Sequence, residues 1–119
     1  MKIVGNFKGA TIEIFNLLTD EDSYHFKFDI KISTYNFSLT YHFSEIARFH
    51  IFDFIDGKQK RLVDENNIDS YLEMSNEYFE MVINQDCLKS SIKIIFEIAE
   101  DKVVLEDFLL TLKSICEVI

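Results

Sequence analysis

Seven carboxylates lie between Leu62 and Leu88 (Asp64, Glu65, Asp69, Glu73, Glu77, Glu80 and Asp86), and no lysine or arginine interrupts them. Tyr71, Tyr78 and Phe79 are interleaved with these acids. Carboxylates accept hydrogen bonds and pair bidentately with guanidinium groups, and in clusters they repel one another unless a cation answers them. Tyrosine adds large, stiff contact area with a polar tip. The combination suits a solvated sheet face, or a surface that meets a basic protein. Asp64, Glu65, Asp69, Glu73, Glu77 and Glu80 are the candidate charge partners, with Tyr71 and Tyr78 as anchors.

Bond-breaking chemistry has less to work with. Asp64-x-Asn66 resembles the opening of a calcium loop, but Asp69 stands where the glycine belongs and Ser75 where the closing glutamate belongs. His25 and His42 fall on the polar side of one strand pair, where Asp29 would be a third metal ligand; solvated sheet residues are the simpler reading. His50 falls on a helix as a surface or hydrogen-bonded residue. No Gly-x-Ser-x-Gly elbow, recognisable Cys/His pair or glycine-rich phosphate loop occurs. No pair of acids stands in an apolar setting that would raise one pKa for acid–base work. The expectation is a protein that is not an enzyme and uses no metal or cofactor. Cys87 and Cys116 are far apart with no second ligand at metal spacing, so both are expected to be reduced and inert.

Bulk properties agree with a binding role. The 119 residues are 48% hydrophobic and 14% aromatic, enough to fold as one domain spanning residues 1–119. A net charge of −9 argues against nucleic acid or an anionic membrane as a direct partner and favours fast association with a basic protein. No stretch approaches the ~20 apolar residues of a membrane span. The first residues lack the apolar run of a signal peptide, which predicts a cytoplasmic location.

The elements that must position these residues can be read from periodicity. Ile3, Gly5 and Phe7 mark a short strand, and Ile12 and Ile14 a second. Phe26, Phe28, Ile30 and Ile32 alternate with polar residues, then Phe37, Leu39, Tyr41 and Phe43 do so after a parity flip. A tight turn at Thr34-Tyr35 would set Ile32 opposite Phe37, Ile30 opposite Leu39, Phe28 opposite Tyr41 and Phe26 opposite Phe43. A single bulged, bent strand is the alternative, since Thr-Tyr is poor hairpin-turn chemistry. Ser44 can cap a helix that starts at Glu45 and stops at Gly57, with Lys58, Lys60 and Arg61 just beyond its negative end. That helix, with Ile46, Phe49, Phe52 and Ile55 at helical spacing, is apolar nearly all round and predicts deep burial.

A second hairpin turning at Ser75-Asn76 would pair Glu73 with Tyr78, Tyr71 with Glu80 and Asp69 with Val82 on one face, with Leu72 facing Phe79 on the other. Ile92, Ile94, Phe96 and Ile98 mark a last strand. Leu105, Phe108, Leu109, Leu112, Ile115, Cys116 and Ile119 form one helical stripe. The fold class is therefore α+β: an antiparallel β-sheet of about six to seven strands with two helices packed on one face.

Phe28-Asp29-Ile30-Lys31-Ile32 leading to Asn36-Phe37-Ser38, then Ser44-Glu45-Ile46 with Phe49, and finally Ile94-Ile95-Phe96-Glu97-Ile98 with Leu105, Phe108 and Leu112, follow an order of hydrophobic segments across the whole chain. That order resembles the immunity proteins that partner the wall-associated toxin WapA. Ser33-Thr34-Tyr35 stands where that family usually has a glycine-rich bend. The resemblance implies an immunity protein that binds and neutralises the C-terminal domain of a contact-dependent or polymorphic bacterial toxin, its partner being a basic domain such as a nuclease. It carries no catalytic residues. A homodimeric interaction domain without a toxin partner is the alternative. On the inhibitor reading, reversing Glu73 and Glu80 to lysine together should weaken toxin binding without unfolding the chain.

Overall fold

Alternating and helical periodicities resolve into ten elements in the computed structural model, which describes residues 1–85 and 90–119, with side chains for all of these except 85 and 90. In chain order they are β1 (Lys2–Asn6), β2 (Thr11–Thr19), β3 (His25–Ser33), β4 (Ser38–Ala47), α1 (Arg48–Ile55), β5 (Arg61–Asp64), β6 (Asn67–Met74), β7 (Tyr78–Gln85), β8 (Ser90–Glu97) and α2 (Lys102–Val118). The α+β class holds. Among the described residues the strands number eight and divide into two antiparallel four-stranded sheets, β1-β2-β3-β4 and β5-β6-β7-β8, each a simple meander. Asp86 and Cys87 lie outside the described residues.

Both hairpins close with loops two residues longer than the tightest turn, which shifts each pairing by two. Ile32 pairs with Leu39, Ile30 with Tyr41 and Phe28 with Phe43 in the first. Met74 pairs with Phe79, Leu72 with Met81 and Glu73 with Glu80 in the second. The same device closes both loops. The N–H of Thr34 donates to the carbonyl of Phe37, while the Thr34 hydroxyl oxygen accepts from the N–H groups of Asn36 and Phe37. Likewise the N–H of Ser75 donates to the carbonyl of Tyr78, and Ser75 Oγ accepts from Glu77 and Tyr78. Hydroxyl-bearing residues thus do the work that glycine does in shorter hairpin turns. A slip of two residues keeps every side chain on its face, so the apolar alternation is preserved.

The first helix begins later than its sequence suggests. His25 pairs with Ala47 and Phe26 with Ile46, so Ser44 and Glu45 belong to β4. Ser44 caps nothing; it binds the buried carboxylate of Asp64. Gly57 does end the helix, its φ of 77° supplying the left-handed turn that side chains resist. Nor is α1 buried all round: Ile51 and Phe54 face the core, and Phe49 is 64% exposed.

One apolar cluster joins both sheets and both helices, with Phe26, Phe28, Ile32, Phe43 and Ile46 of the first sheet meeting Leu62, Leu72, Phe79 and Met81 of the second. Each such side chain contributes about 1.5–3 kcal/mol on burial. The predicted stripe of α2 is the one used: Phe108, Leu112 and Cys116 are buried, with Leu105, Leu109, Ile115 and Ile119 packed beside them. Burial pushes the Cys116 thiol up to about 12, so it is inert. Phe7, in the β1–β2 loop, packs against Phe96 of β8 and edge-on against Phe108 of α2. Gly5 is demanded by this junction, since a Cβ there would stand 2.7 Å from the Phe7 ring and 3.0 Å from Phe108. Arg48 links the helices by donating to the Cys116 carbonyl at 2.9 Å while its guanidinium lies over Phe26.

Candidate functional site

The outward face of β5–β8 carries most of the residues singled out from sequence. Strand register lays them in rows: Arg61, Glu73, Glu80 and Ile95 in one, Val63, Tyr71, Val82 and Lys93 in the next. Glu73 and Glu80 are direct cross-strand partners, an arrangement that repels unless it is compensated. Compensation comes from the flanking strands. Arg61 Nε donates to Glu73 at 3.1 Å, and Lys93 Nζ reaches Glu80 at 2.8 Å. The acidic run is therefore answered by the protein's own cations, one just before the run and one after it.

The tyrosines are held by the same network. Tyr78 donates its phenolic O–H to Glu73 at 2.7 Å, and the Arg61 guanidinium sits 3.9 Å above the Tyr71 ring. The Tyr78 hydrogen bond, with Arg61 behind it, holds the Glu73 carboxyl below its ordinary range despite partial burial. Hydrogen bonding to Glu73 raises Arg61, and the bond to Glu80 raises Lys93. The Glu73 and Glu80 side chains are only 12% and 9% exposed, against 50% and 60% for Arg61 and Lys93. These two glutamates are structural members of the face before they are anything else. Asp69 shares their strand parity on β6, and Glu77 sits in the β6–β7 loop; both are exposed.

Asp64 is not on this face. It is 1% exposed, which corrects its reading as a partner-binding acid. Its oxygens accept from the N–H groups of Ser44 at 3.1 Å, Glu45 at 3.3 Å and Asn66 at 3.0 Å, and from the Tyr41 hydroxyl at 3.3 Å. With Glu65 donating its N–H to the Glu45 carbonyl at 2.8 Å, this carboxylate fastens the end of the first sheet to the start of the second. The same bonds account for Asp64-x-Asn66: it forms a turn around a buried acceptor.

No protein-family model, curated protein or solved structure matches this chain.

Glu65 belongs to a different cluster, centred on His25. The Nδ1 atom of His25 lies 3.1 Å from Asp20, and its Nε2 lies 3.2 Å from Glu65 and 3.7 Å from Glu45. His42 is held separately, its Nδ1 2.7 Å from Asp29, so the two histidines do not form the three-ligand set with Asp29 that strand parity allowed. One donor atom from each of His25, Glu45 and Glu65 lies within 4.8 Å of the others, close enough to surround one cation. A proton on His25 answers three carboxylates, those of Asp20, Glu45 and Glu65. Partial burial would lower the His25 pKa, but Asp20, Glu65 and Glu45 outweigh it and raise the pKa above 6.5. A raised histidine contributes stability below its unfolded pKa and loses it as pH climbs through the folded one. Thermal unfolding of His25→Gln should therefore fall furthest short of the parent near pH 6, and the gap should close once the pH passes the raised value. A gap independent of pH would show that the imidazole acts by packing alone.

A second exposed patch was not legible in the sequence. Tyr24 and Phe49 are 70% and 64% exposed and, with Arg48, Phe52 and Asp53, line an open groove of about 500 Å³. The misleading signal was the apolar character of α1, which reads as burial on every side. Among the described residues no helix is long and apolar enough to cross a membrane.

Proposed function

We propose that this protein is a binding inhibitor of the immunity type, which captures and neutralises the C-terminal domain of a contact-dependent or polymorphic toxin. The reading rests on one observation above the others. Tyr71 and Tyr78 are pinned on a sheet face by Arg61 and Glu73, so the aromatic anchors are set before a partner arrives. Preorganised aromatics lose little entropy on binding. Exposed Asp69 and Glu77 lie beside them, and the whole chain carries −9. A nuclease toxin must hold phosphates in a basic cleft, and an acidic partner is drawn to such a surface quickly and selectively. The resemblance of the hydrophobic segments to the WapA immunity partners points the same way.

Growth rescue tests the proposal. The C-terminal domain of the large open reading frame beside this gene would be induced with and without this protein. Rescue is expected, and Asp69→Lys with Glu77→Lys should weaken toxin binding in calorimetry by about tenfold to a hundredfold while leaving the melting temperature in place. A harmless neighbour, or one that kills regardless, removes the proposal. Unchanged affinity in the double variant would move the interface off this face.

A further inference from the structure

β8 is an edge strand approached by the β1–β2 loop at Phe96, where Phe7 and Gly9 lie against it. It runs against β7 in unbroken register from Tyr78 opposite Glu97 to Gln85 opposite Ser90, with no bulge. Among the described residues no strand pairs with its other side. It contains no proline, and Ile95 and Ile92 are 56% and 38% exposed. Natural sheets usually blunt such an edge with a bulge, a proline, a covering element or several charges. Here the charges are two, Lys93 within the strand and Glu97 at its end.

The direction of the unpaired groups follows from the ladder. Ile98 donates its N–H to the Glu77 carbonyl at 2.9 Å, one step beyond the Tyr78–Glu97 pair. Backbone groups alternate along an antiparallel strand, so those of Ser91, Lys93, Ile95 and Glu97 point away from β7. These are the residues a further strand would bond.

The sequence of β8 selects the partner. In an antiparallel two-fold pairing, residues opposite one another share a face, which leaves only a few registers. Pairing about Lys93 would put two lysines face to face. Pairing about Ile94 would leave Lys93 against isoleucine and Glu97 against serine. Pairing about Ile95 sets Lys93 against the partner's Glu97, twice by symmetry, and Ile95 against the partner's Ile95. On the inner face the same register sets Ile94 against the partner's Phe96. Every pair is then complementary. Ile95 and the Lys93–Glu97 pairs are also the positions with outward N–H and C=O groups, giving about six new backbone hydrogen bonds.

We propose that β8 is a self-pairing edge, through which two copies of this chain join about Ile95 into one continuous antiparallel sheet. The joined sheet would present two copies of the Tyr71–Tyr78 face side by side. The pairing does not depend on the inhibitor reading. A single shared strand edge buries less than the ~1,200 Å² of a standard stable interface, so the association is concentration-dependent.

Sedimentation equilibrium on the full chain decides it. The apparent mass should rise from 14.0 kDa toward twice that value with concentration. Ile95→Lys, which places two ammonium groups at the axis, and Glu97→Lys, which opposes Lys93, should both remain monomeric where the parent is dimeric. Their melting temperatures should match that of the monomeric parent. Amide hydrogen exchange gives a check that needs no variant: the amides of Lys93, Ile95 and Glu97 should gain protection as concentration rises, whereas those of the exposed turn at Asn76 should not. A parent that stays monomeric at its highest soluble concentration overturns the proposal. So does a dimer that survives both substitutions, or a monomer in which Ile95→Lys abolishes toxin binding instead, which would assign the edge to the toxin.

Discussion

Replacing Asp64 by alanine should lower the unfolding free energy by about 3–4 kcal/mol, read as a shift of the urea midpoint at constant slope. The carboxylate accepts from three backbone N–H groups and the Tyr41 hydroxyl, and at 1% exposure no bulk water stands ready to replace it. Removing it leaves partly buried donors unpaired, each at a cost of about 1–3 kcal/mol before relaxation. Asp64→Asn keeps one acceptor oxygen and should lose about half as much. A loss below about 1 kcal/mol for the alanine variant would mean that the two sheets hold together by apolar packing alone. The loss would be a large share of the 5–15 kcal/mol by which domains are stable.

The second large effect concerns the paired glutamates. Changing Glu73 and Glu80 to lysine together should destabilise the fold by about 3 kcal/mol, because each new ammonium group meets a cation already in place. Arg61 stands opposite Glu73, and Lys93 reaches Glu80. Those cations are half-exposed, so solvent screening keeps the figure moderate. The sequence-based expectation was that this double reversal would affect binding and leave folding alone. The geometry reassigns it to a stability test, and passes the binding test to Asp69 and Glu77. An unchanged denaturation midpoint would show that the ion pairs of this face contribute nothing net.

Both effects share a cause. Neighbouring carboxylates in sequence perform three separate tasks in space: Asp64 fastens the sheets, Glu65 faces His25, and Glu73 with Glu80 is neutralised across the second sheet. A charge count along the chain registers only that acids are abundant. The cations that answer them come from β5 and β8, the strands that flank the run. Arg61 in particular looked like a helix-terminal charge, because Gly57 and the lysines around it supply a plausible helix end.

What the sequence determined by itself is the period of each segment. Alternation in Phe26–Ile32 and Leu39–Phe43, and the stripe from Leu105 to Ile119, assigned strands, a helix and the side of each that is buried, since apolar area has to leave water whatever the topology. It also located Tyr71, Glu73, Tyr78 and Glu80 on a common face. Register was beyond it. A two-residue slip preserves the face of every side chain, so hydrophobic pattern cannot tell a two-residue turn from the four-residue loops that Thr34 and Ser75 close with their hydroxyls. Only the tertiary structure decided which charges meet, that the strands of the described residues split into two sheets, and that a buried carboxylate would draw Ser44 and Glu45 into β4 rather than into a helix. Those outcomes depend on contacts between residues remote in the chain, and local periodicity carries no information about them.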